Sequence, residues 1–383
     1  MSGFDHEIIF LLLEEYNRMR WLVFRKKTVF FTLLVFAVML LGLMEVYSAS
    51  LMWAQFKYQD GAYFIKRQII FACIGGIGYV IAGQIHLKKI EKYHRWIMAL
   101  TLAAMVLVLI PGIGVERNGS RSWFKLASLY IQPSEFLKFA MILTSAHYLS
   151  KKKRISSFIK DLFPLLLLVL GGFGLIMLQP DFGSGIVMLC SIVVMVFVAG
   201  CPYSYFIKGG IMGIGALAAL ILSAPYRLER ITSFLDPWKD PLGSGFQMIQ
   251  SLYAIAPGGL LGRGFNTSIQ KQFYLPEPQT DFIFSIFAEE FGFIGGAVLI
   301  FMFFLIVYKG VEICIHADSS FEGYVGIGMI SLFAIQVGIN LGVVVGAFPV
   351  TGITLPLFSY GGSSLVVMMT MLGFVSGISH HKK

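Results

Sequence analysis

The chain has 383 residues, of which 57% are hydrophobic and only 13% charged, with 41 glycines and 35 phenylalanines. A chain this apolar cannot cover itself with polar surface, which excludes a soluble enzyme, and it has far too much to bury to be disordered. What remains is an all-α polytopic membrane protein with room for about ten spanning helices of ~20 residues each, whose +9 charge reads as basic cytoplasmic loops rather than as a nucleic-acid surface.

Residues 1–28 form a cytoplasmic N-terminal tail. In it the run Ile8–Leu13, followed by mixed charges, also suits an interfacial amphipathic helix. Ten hydrophobic runs follow, at 29–48, 69–86, 97–115, 135–149, 162–178, 185–200, 206–223, 282–308, 322–345 and 354–378. They make residues 29–379 a single transmembrane domain, with 380–383 a cytoplasmic tail. The first run follows Arg25, Lys26 and Lys27 and is longer than a signal-peptide core. It is read as an uncleaved helix despite the Ser48-Ala49-Ser50 that ends it. The short segments 87–96 (Lys88, Lys89, Lys92, Arg95) and 150–161 (Lys151, Lys152, Lys153, Arg154, Lys160) carry much of the positive bias. Basic residues in short loops mark the cytoplasmic side, so both termini are expected inside. The segment 224–281, between the seventh and eighth helices, is then extracytoplasmic. It is rich in Pro, Gly and aromatic residues, and a long loop of that composition is expected to be structured and functional. Cys73, Cys190, Cys201 and Cys314 lie in or beside apolar runs without metal-ligand spacing and read as core residues.

Signatures of soluble enzymes are missing: there is no phosphate-binding P-loop, no GxSxG and no HExxH. Four stretches on the expected outer side hold the candidate chemistry. Arg117-Asn118-Gly119-Ser120-Arg121-Ser122-Trp123 offers two arginines that can grip a phosphate with paired hydrogen bonds, or simply anchor the interface. In Gln132-Pro133-Ser134-Glu135-Phe136-Leu137-Lys138, Pro133 and Ser134 start a helix, and Glu135 and Lys138 share one of its faces, as an ion pair or as part of a site. The loop from Pro225 to Gly264 holds Arg227, Gln247, Gln250 and Ser251. The glutamines offer donors and acceptors suited to sugar hydroxyls and amides. In Tyr274–Phe284, Glu277, Thr280 and Asp281 stand where the loop enters the eighth helix, and Thr280 or Asp281 could cap it. Glu289 and Glu290 follow roughly 12–14 Å deeper, at 1.5 Å per residue. Acids at that depth are functional candidates or partners for a basic group.

Taken together these motifs resemble the SEDS family of bacterial shape, elongation, division and sporulation proteins. The resemblance runs from Val46-Tyr47-Ser48-Ala49-Ser50 to Ser359-Tyr360-Gly361-Gly362-Ser363-Ser364. It includes Gln179-Pro180-Asp181-Phe182-Gly183 and Pro349–Pro356. Tyr274–Phe284 and Arg230–Leu235 look most like the division and sporulation branch (FtsW, SpoVE) and less like RodA. Glu45 departs from the pattern, since relatives usually have an apolar residue there.

The resemblance implies a peptidoglycan glycosyltransferase that polymerises lipid II at the outer face of the bacterial cytoplasmic membrane. It also implies partners: a class B penicillin-binding protein transpeptidase and other divisome or elongasome membrane proteins. It places the essential acid at Asp281. As general base, Asp281 would take the proton of the acceptor's sugar hydroxyl. Lys138 and Arg121 first, then Arg117 and Arg227, are candidates to stabilise the lipid pyrophosphate that leaves. A divalent cation, Mg or Mn, could share that task, although no ligand cluster marks a place for it. Glu135, Gln247, Gln250, Ser251, Glu277, Thr280, Glu289 and Ser363 complete the expected substrate-binding set. Two competing readings are a lipid II flippase that uses Glu289 and Glu290, and a non-catalytic scaffold of the cell-wall complex.

Overall fold

The computed structural model describes residues 4–117, 120–126, 129–152, 155, 157–222 and 225–378. Side chains are described from 27 onward, apart from 117, 129, 217, 220, 221, 225–227 and 230. Every apolar run carries a helix. In chain order the helices are α1 (Phe4–Tyr58), α2 (Tyr63–Gln84), the short α3 (Leu87–Glu91), α4 (His94–Leu107), α5 (Pro133–Ser150), α6 (Phe163–Met177), α7 (Phe182–Val198), α8 (Tyr203–Leu222), α9 (Pro225–Leu235), α10 (Phe246–Ile255), α11 (Ile283–Ile315), α12 (Ser320–Val344) and α13 (Gly362–Gly377). Five helical stretches are long and apolar enough to cross a membrane: Lys27–Tyr58, Tyr63–Gln84, Phe158–Met177, Ile283–Ile315 and Ser320–Val344. The apolar helices α4, α7 and α13 are shorter. Large apolar side chains such as Leu40, Ile77, Leu100, Leu167 and Phe301 are exposed on the bundle surface, as a chain dissolved in lipid requires. The protein is a mostly helical, multi-span membrane protein.

Three boundaries differ from the sequence expectation. The run at 97–115 stops being helical at Leu107. After it, β1 (Gly114–Arg117), β2 (Ser120–Leu126) and β3 (Leu129–Ile131) form an antiparallel sheet in the order β1-β2-β3. The expectation of an all-α fold is corrected accordingly. The signal was present: Arg117 pairs with Ser120 across Asn118-Gly119, a dipeptide that favours the tight two-residue hairpin turn. The run at 354–378 is helical only from Gly362, and the segment before it is irregular. The 224–281 segment is not bare loop either, since it contains α9 and α10. The tail before the first apolar run is helical and continuous with α1 from Phe4.

Local chemistry sets the helix starts that matter below. Pro133 begins α5, where its fixed φ is pre-set and its missing N–H costs nothing. Asp181 caps α7 by accepting the Ser184 N–H. Inside α11, Gly292 breaks the helix with φ 66° and ψ −168°, a conformation open to glycine and few others.

The core is one continuous apolar cluster reaching from α1 to α13. At its tightest contact, α2 and α13 approach through small residues. A methyl group on Gly377 would lie 2.7 Å from the Gly83 carbonyl oxygen, and one on Gly373 would strike the Tyr79 backbone. Such contact lets dispersion replace the hydrophobic drive that lipid does not supply. Gly373→Val should therefore overpack the interface by about 1–3 kcal/mol. A thermal melt in detergent is expected to show a lower midpoint than wild type.

Candidate functional site

The N-termini of α5 and α7 meet. Gln132 Nε2 donates to Asp181 Oδ2 at 2.9 Å, and the Ser134 hydroxyl lies 3.4 Å from the same oxygen. The Ser363 hydroxyl, at the start of α13, accepts the Gln132 N–H at 3.2 Å and donates to the Tyr130 carbonyl at 3.1 Å. On β2 the hydroxyls of Ser120 and Ser122 donate to the Gln179 carbonyl, just before the α7 cap. One turn into α5, Lys138 Nζ donates to Glu135 Oε1 at 2.8 Å, with both side chains buried. Glu135 Oε2 is buried and has no hydrogen-bond partner among the described residues. A paired acid and base are the tolerable way to hold charge at that depth.

Asp281 joins this group through the main chain. Asn340, buried in α12, donates from Nδ2 to the Asp281 carbonyl and to the Ile353 carbonyl, both at 2.7 Å. Ile353 in turn packs against Gly183, two residues past the α7 cap. The Asp281 carboxyl is half-buried, and the Thr280 hydroxyl lies 2.8 Å from its Oδ1. Next to it, the Tyr360 N–H donates to the Gln279 carbonyl at 2.8 Å, and buried Gln68 of α2 braces Ser359 and Gly361. Arg67, one residue before Gln68, holds its guanidinium 4.2 Å from the centre of the Tyr63 ring. It has no carboxylate partner among the described residues, which suits it to an anion. One end of the bundle thus gathers α2, α5, α7, α11, α12, α13 and the segment before α13.

Glu289 and Glu290 lie deeper and are fully engaged. Glu289 accepts the N–H groups of Ile269 and Gln270 and the hydroxyl of Ser268. Glu290 accepts the N–H groups of Asn266 and Ser268 and the hydroxyl of Ser48. Lys271 completes the cluster, with Nζ 2.9 Å from Glu290 Oε1, 2.9 Å from Ser48 Oγ and 2.6 Å from Asn266 Oδ1.

The remaining expected site residues are more dispersed. Arg121 forms an exposed pair with Glu116 at 3.3 Å. Glu277 is exposed beside Thr280, whose hydroxyl reaches the Glu277 carbonyl. Gln247 and Gln250 are half-buried on α10, while the Ser251 hydroxyl is spent on the Val344 carbonyl of α12. The side chains of Arg117 and Arg227 lie outside the described residues. Among the described residues no three His, Cys, Asp or Glu gather as a metal site.

Sequence reasoning gave no role to Asp181, Gln132, Asn340, Arg67 or Lys271. Asp181 was detectable as a cap before the apolar run. Asn340 was detectable as a lone amide inside an apolar helix, where a polar group must find a partner.

Comparison with known proteins gives a consistent family. The model of the FtsW/RodA/SpoVE family of cell cycle proteins matches residues 28–383. Stage V sporulation protein E of Bacillus subtilis is 49% identical over 362 residues, 94% of this chain and 99% of that protein. The probable peptidoglycan glycosyltransferase FtsW of Trichlorobacter lovleyi is 39% identical over 348 residues, 91% of each chain. Among solved structures, a chain of a peptidoglycan synthase complex that coordinates polymerization and crosslinking is 32% identical. It superposes with a TM-score of 0.74, over 91% of this chain and 96% of that one.

The buried pair on α5 is testable by itself. Lys138→Met strands the Glu135 carboxylate and should cost about 3–5 kcal/mol, whereas adding Glu135→Leu should recover most of it. Thermal unfolding of the two variants beside wild type measures both effects.

Proposed function

This chain belongs to the FtsW/RodA/SpoVE family, the SEDS proteins, and from that premise we propose that it polymerises lipid II into glycan strands with Asp281 as general base. The observation that carries the reading is the Asn340 tie. It fixes the Asp281 main chain to the segment packed on the α7 cap, beside the buried Glu135–Lys138 pair. An acid and a cation at one end of an apolar bundle suit a lipid whose sugars and pyrophosphate are polar and whose tail is not.

In the proposed step the acceptor's sugar 4-hydroxyl attacks the donor's anomeric carbon. Its proton passes to the Asp281 carboxylate, positioned by Thr280. The bond from the anomeric carbon to the pyrophosphate oxygen breaks, and undecaprenyl pyrophosphate leaves. Direct displacement inverts the anomeric centre, so an α-linked donor gives a β-linked polymer. Lys138 and Arg121 are the proposed stabilisers of the leaving charge, with Arg67 added on the strength of its unpaired guanidinium. Gln247, Gln250 and Glu277 are proposed sugar or peptide contacts. Glu135 and Ser363 are proposed to shape the site.

We place the site outside the cytoplasmic membrane. The basic segments 87–96 and 150–161 lie at the start of α4 and the end of α5, opposite the α5 N-terminus. The work belongs to division or sporulation, with a class B penicillin-binding protein as partner. The flippase alternative rested on Glu289 and Glu290, and the donors already bound to both carboxylates weaken it.

Purified chain, supplied with its cognate penicillin-binding partner and lipid II, should make glycan polymer. Asp281→Asn should slow this by about 10²–10⁴-fold, the range for a general base. No polymer from wild type would refute the enzyme reading, and normal rates from Asp281→Asn would refute the base assignment alone.

A further inference from the structure

We infer that Lys271 is a positioning residue for Asp281, acting as a latch that closes the catalytic loop onto the helix it enters. The inference rests on the polymerase reading for its kinetic consequence but not for its structural one.

The latch is a ring in the covalent chain. The ion pair Lys271–Glu290 joins a residue ten before Asp281 to one nine after it, so the acid sits near the middle of the closed segment. Both ends of the ring are immobilised. Lys271 is 1% exposed, and Glu290 likewise. The ammonium has three protons and three acceptors, Ser48 on α1, Asn266 on the loop and Glu290 on α11. Its donor capacity is saturated by three different parts of the fold.

The ring is stiff between the latch and the acid. Leu275 is fully buried, and its N–H donates to the Gln270 carbonyl. Pro276 and Pro278 fix two φ angles. Gln279 is buried and tied to Tyr360, and the Thr280 N–H donates to the Glu277 carbonyl. A shift at Lys271 therefore has little slack in which to dissipate before it reaches Asp281.

The far end of the ring is equally constrained. The break at Gly292 cuts α11 so that Ile283–Phe291 is a short helical piece with Asp281 at one end and Glu290 at the other. That piece is held by the loop at 259–264: Arg263 and Gly264 donate to the Glu289 and Glu290 carbonyls, while Phe293 and Ile294 donate to those of Gly259 and Leu260. Without Lys271 the backbone pairing remains, but Glu290 loses its cation and the 266–281 segment loses its hydrogen bond to Ser48 of α1, keeping there the ring contacts of Phe273 with Trp53 and Phe56.

A buried ion pair contributes little to net stability and is best attested as a device that fixes register. Here the register it fixes is that of the base. A displacement of about 1 Å at a reacting group can cost about 100-fold in rate.

The test uses the full chain with its partner in lipid. Lys271→Met should lower kcat by about 100-fold with KM within about twofold. Lys271→Arg, which keeps a cation against Glu290 and leaves its other donors in place, should recover a large part of kcat. Amide hydrogen exchange should show faster exchange at 273–281 in Lys271→Met, with α12 and α13 unchanged. Unaltered kcat in Lys271→Met overturns the inference, as does unaltered exchange at 273–281. Global loss of protection in Lys271→Met that Lys271→Arg does not reverse would assign the pair to folding and overturn positioning. If wild type makes no polymer, the functional reading falls, while the exchange measurement still decides the latch.

Discussion

Lipid offers no hydrogen bonds, so every backbone group freed inside the bundle must be met by protein. That constraint is sharpest at Gly292, where α11 breaks and four backbone groups leave the helical ladder. The loop at 259–264 meets all four, donating to the carbonyls of Glu289 and Glu290 and accepting from Phe293 and Ile294. Close approach demands glycine on both sides. A side chain at Gly262, whose φ is 79°, would strike the Glu290 carbonyl, and one at Gly292 would strike the loop backbone. The loop is thus a structural part of the helix, and the segment it carries onward arrives at Asp281 already oriented.

The same need for satisfied groups explains how distant motifs come together. Asn340 would be costly in an apolar helix by itself. It is tolerable because its two protons serve the carbonyls of Asp281 and Ile353. Gln179 performs a similar task near α4, with its amide donating to the Met105 carbonyl at 3.2 Å. Asn340 and Gln179 thus each spend a side-chain amide on backbone carbonyls of other segments.

Much of this was legible in sequence. Apolar length marked a helix in each of the ten runs, and Pro133 marked the start of α5; neither Ser134 nor Thr280 nor Asp281 caps its helix, since the N-cap positions are Gln132 and Phe282 without a side-chain cap. The sheet was obscured because Val106 to Val115 reads as a continuation of α4, although Asn118-Gly119 announced a hairpin. The resemblance identified the family, which the family model and relatives bear out. Pairings at long separation were not legible. Lys271 meets Glu290 only because the loop folds back, and Ser48 joins them from 223 residues away. Local spacing cannot signal a contact that tertiary folding creates. The Glu135–Lys138 pair, three apart on one helix, is the case where spacing sufficed.

These two buried pairs look alike by charge and burial, yet their hydrogen bonding separates them. Every proton of Lys271 has an acceptor, and both oxygens of Glu290 accept from backbone or side chain. Nothing is left over for a ligand, which is the state of a pair that fixes structure. Among the described residues Lys138 instead has a single acceptor, Glu135 Oε1, and Glu135 Oε2 has no donor. An ammonium with protons to spare, beside a carboxylate oxygen with a vacancy, has been desolvated without full repayment, and that is costly in a low-dielectric interior. The deficit is removed if an anion supplies the missing acceptors. In the proposed reaction the leaving pyrophosphate would be that anion. Saturation of hydrogen bonds, more than burial or charge, therefore distinguishes the two lysines.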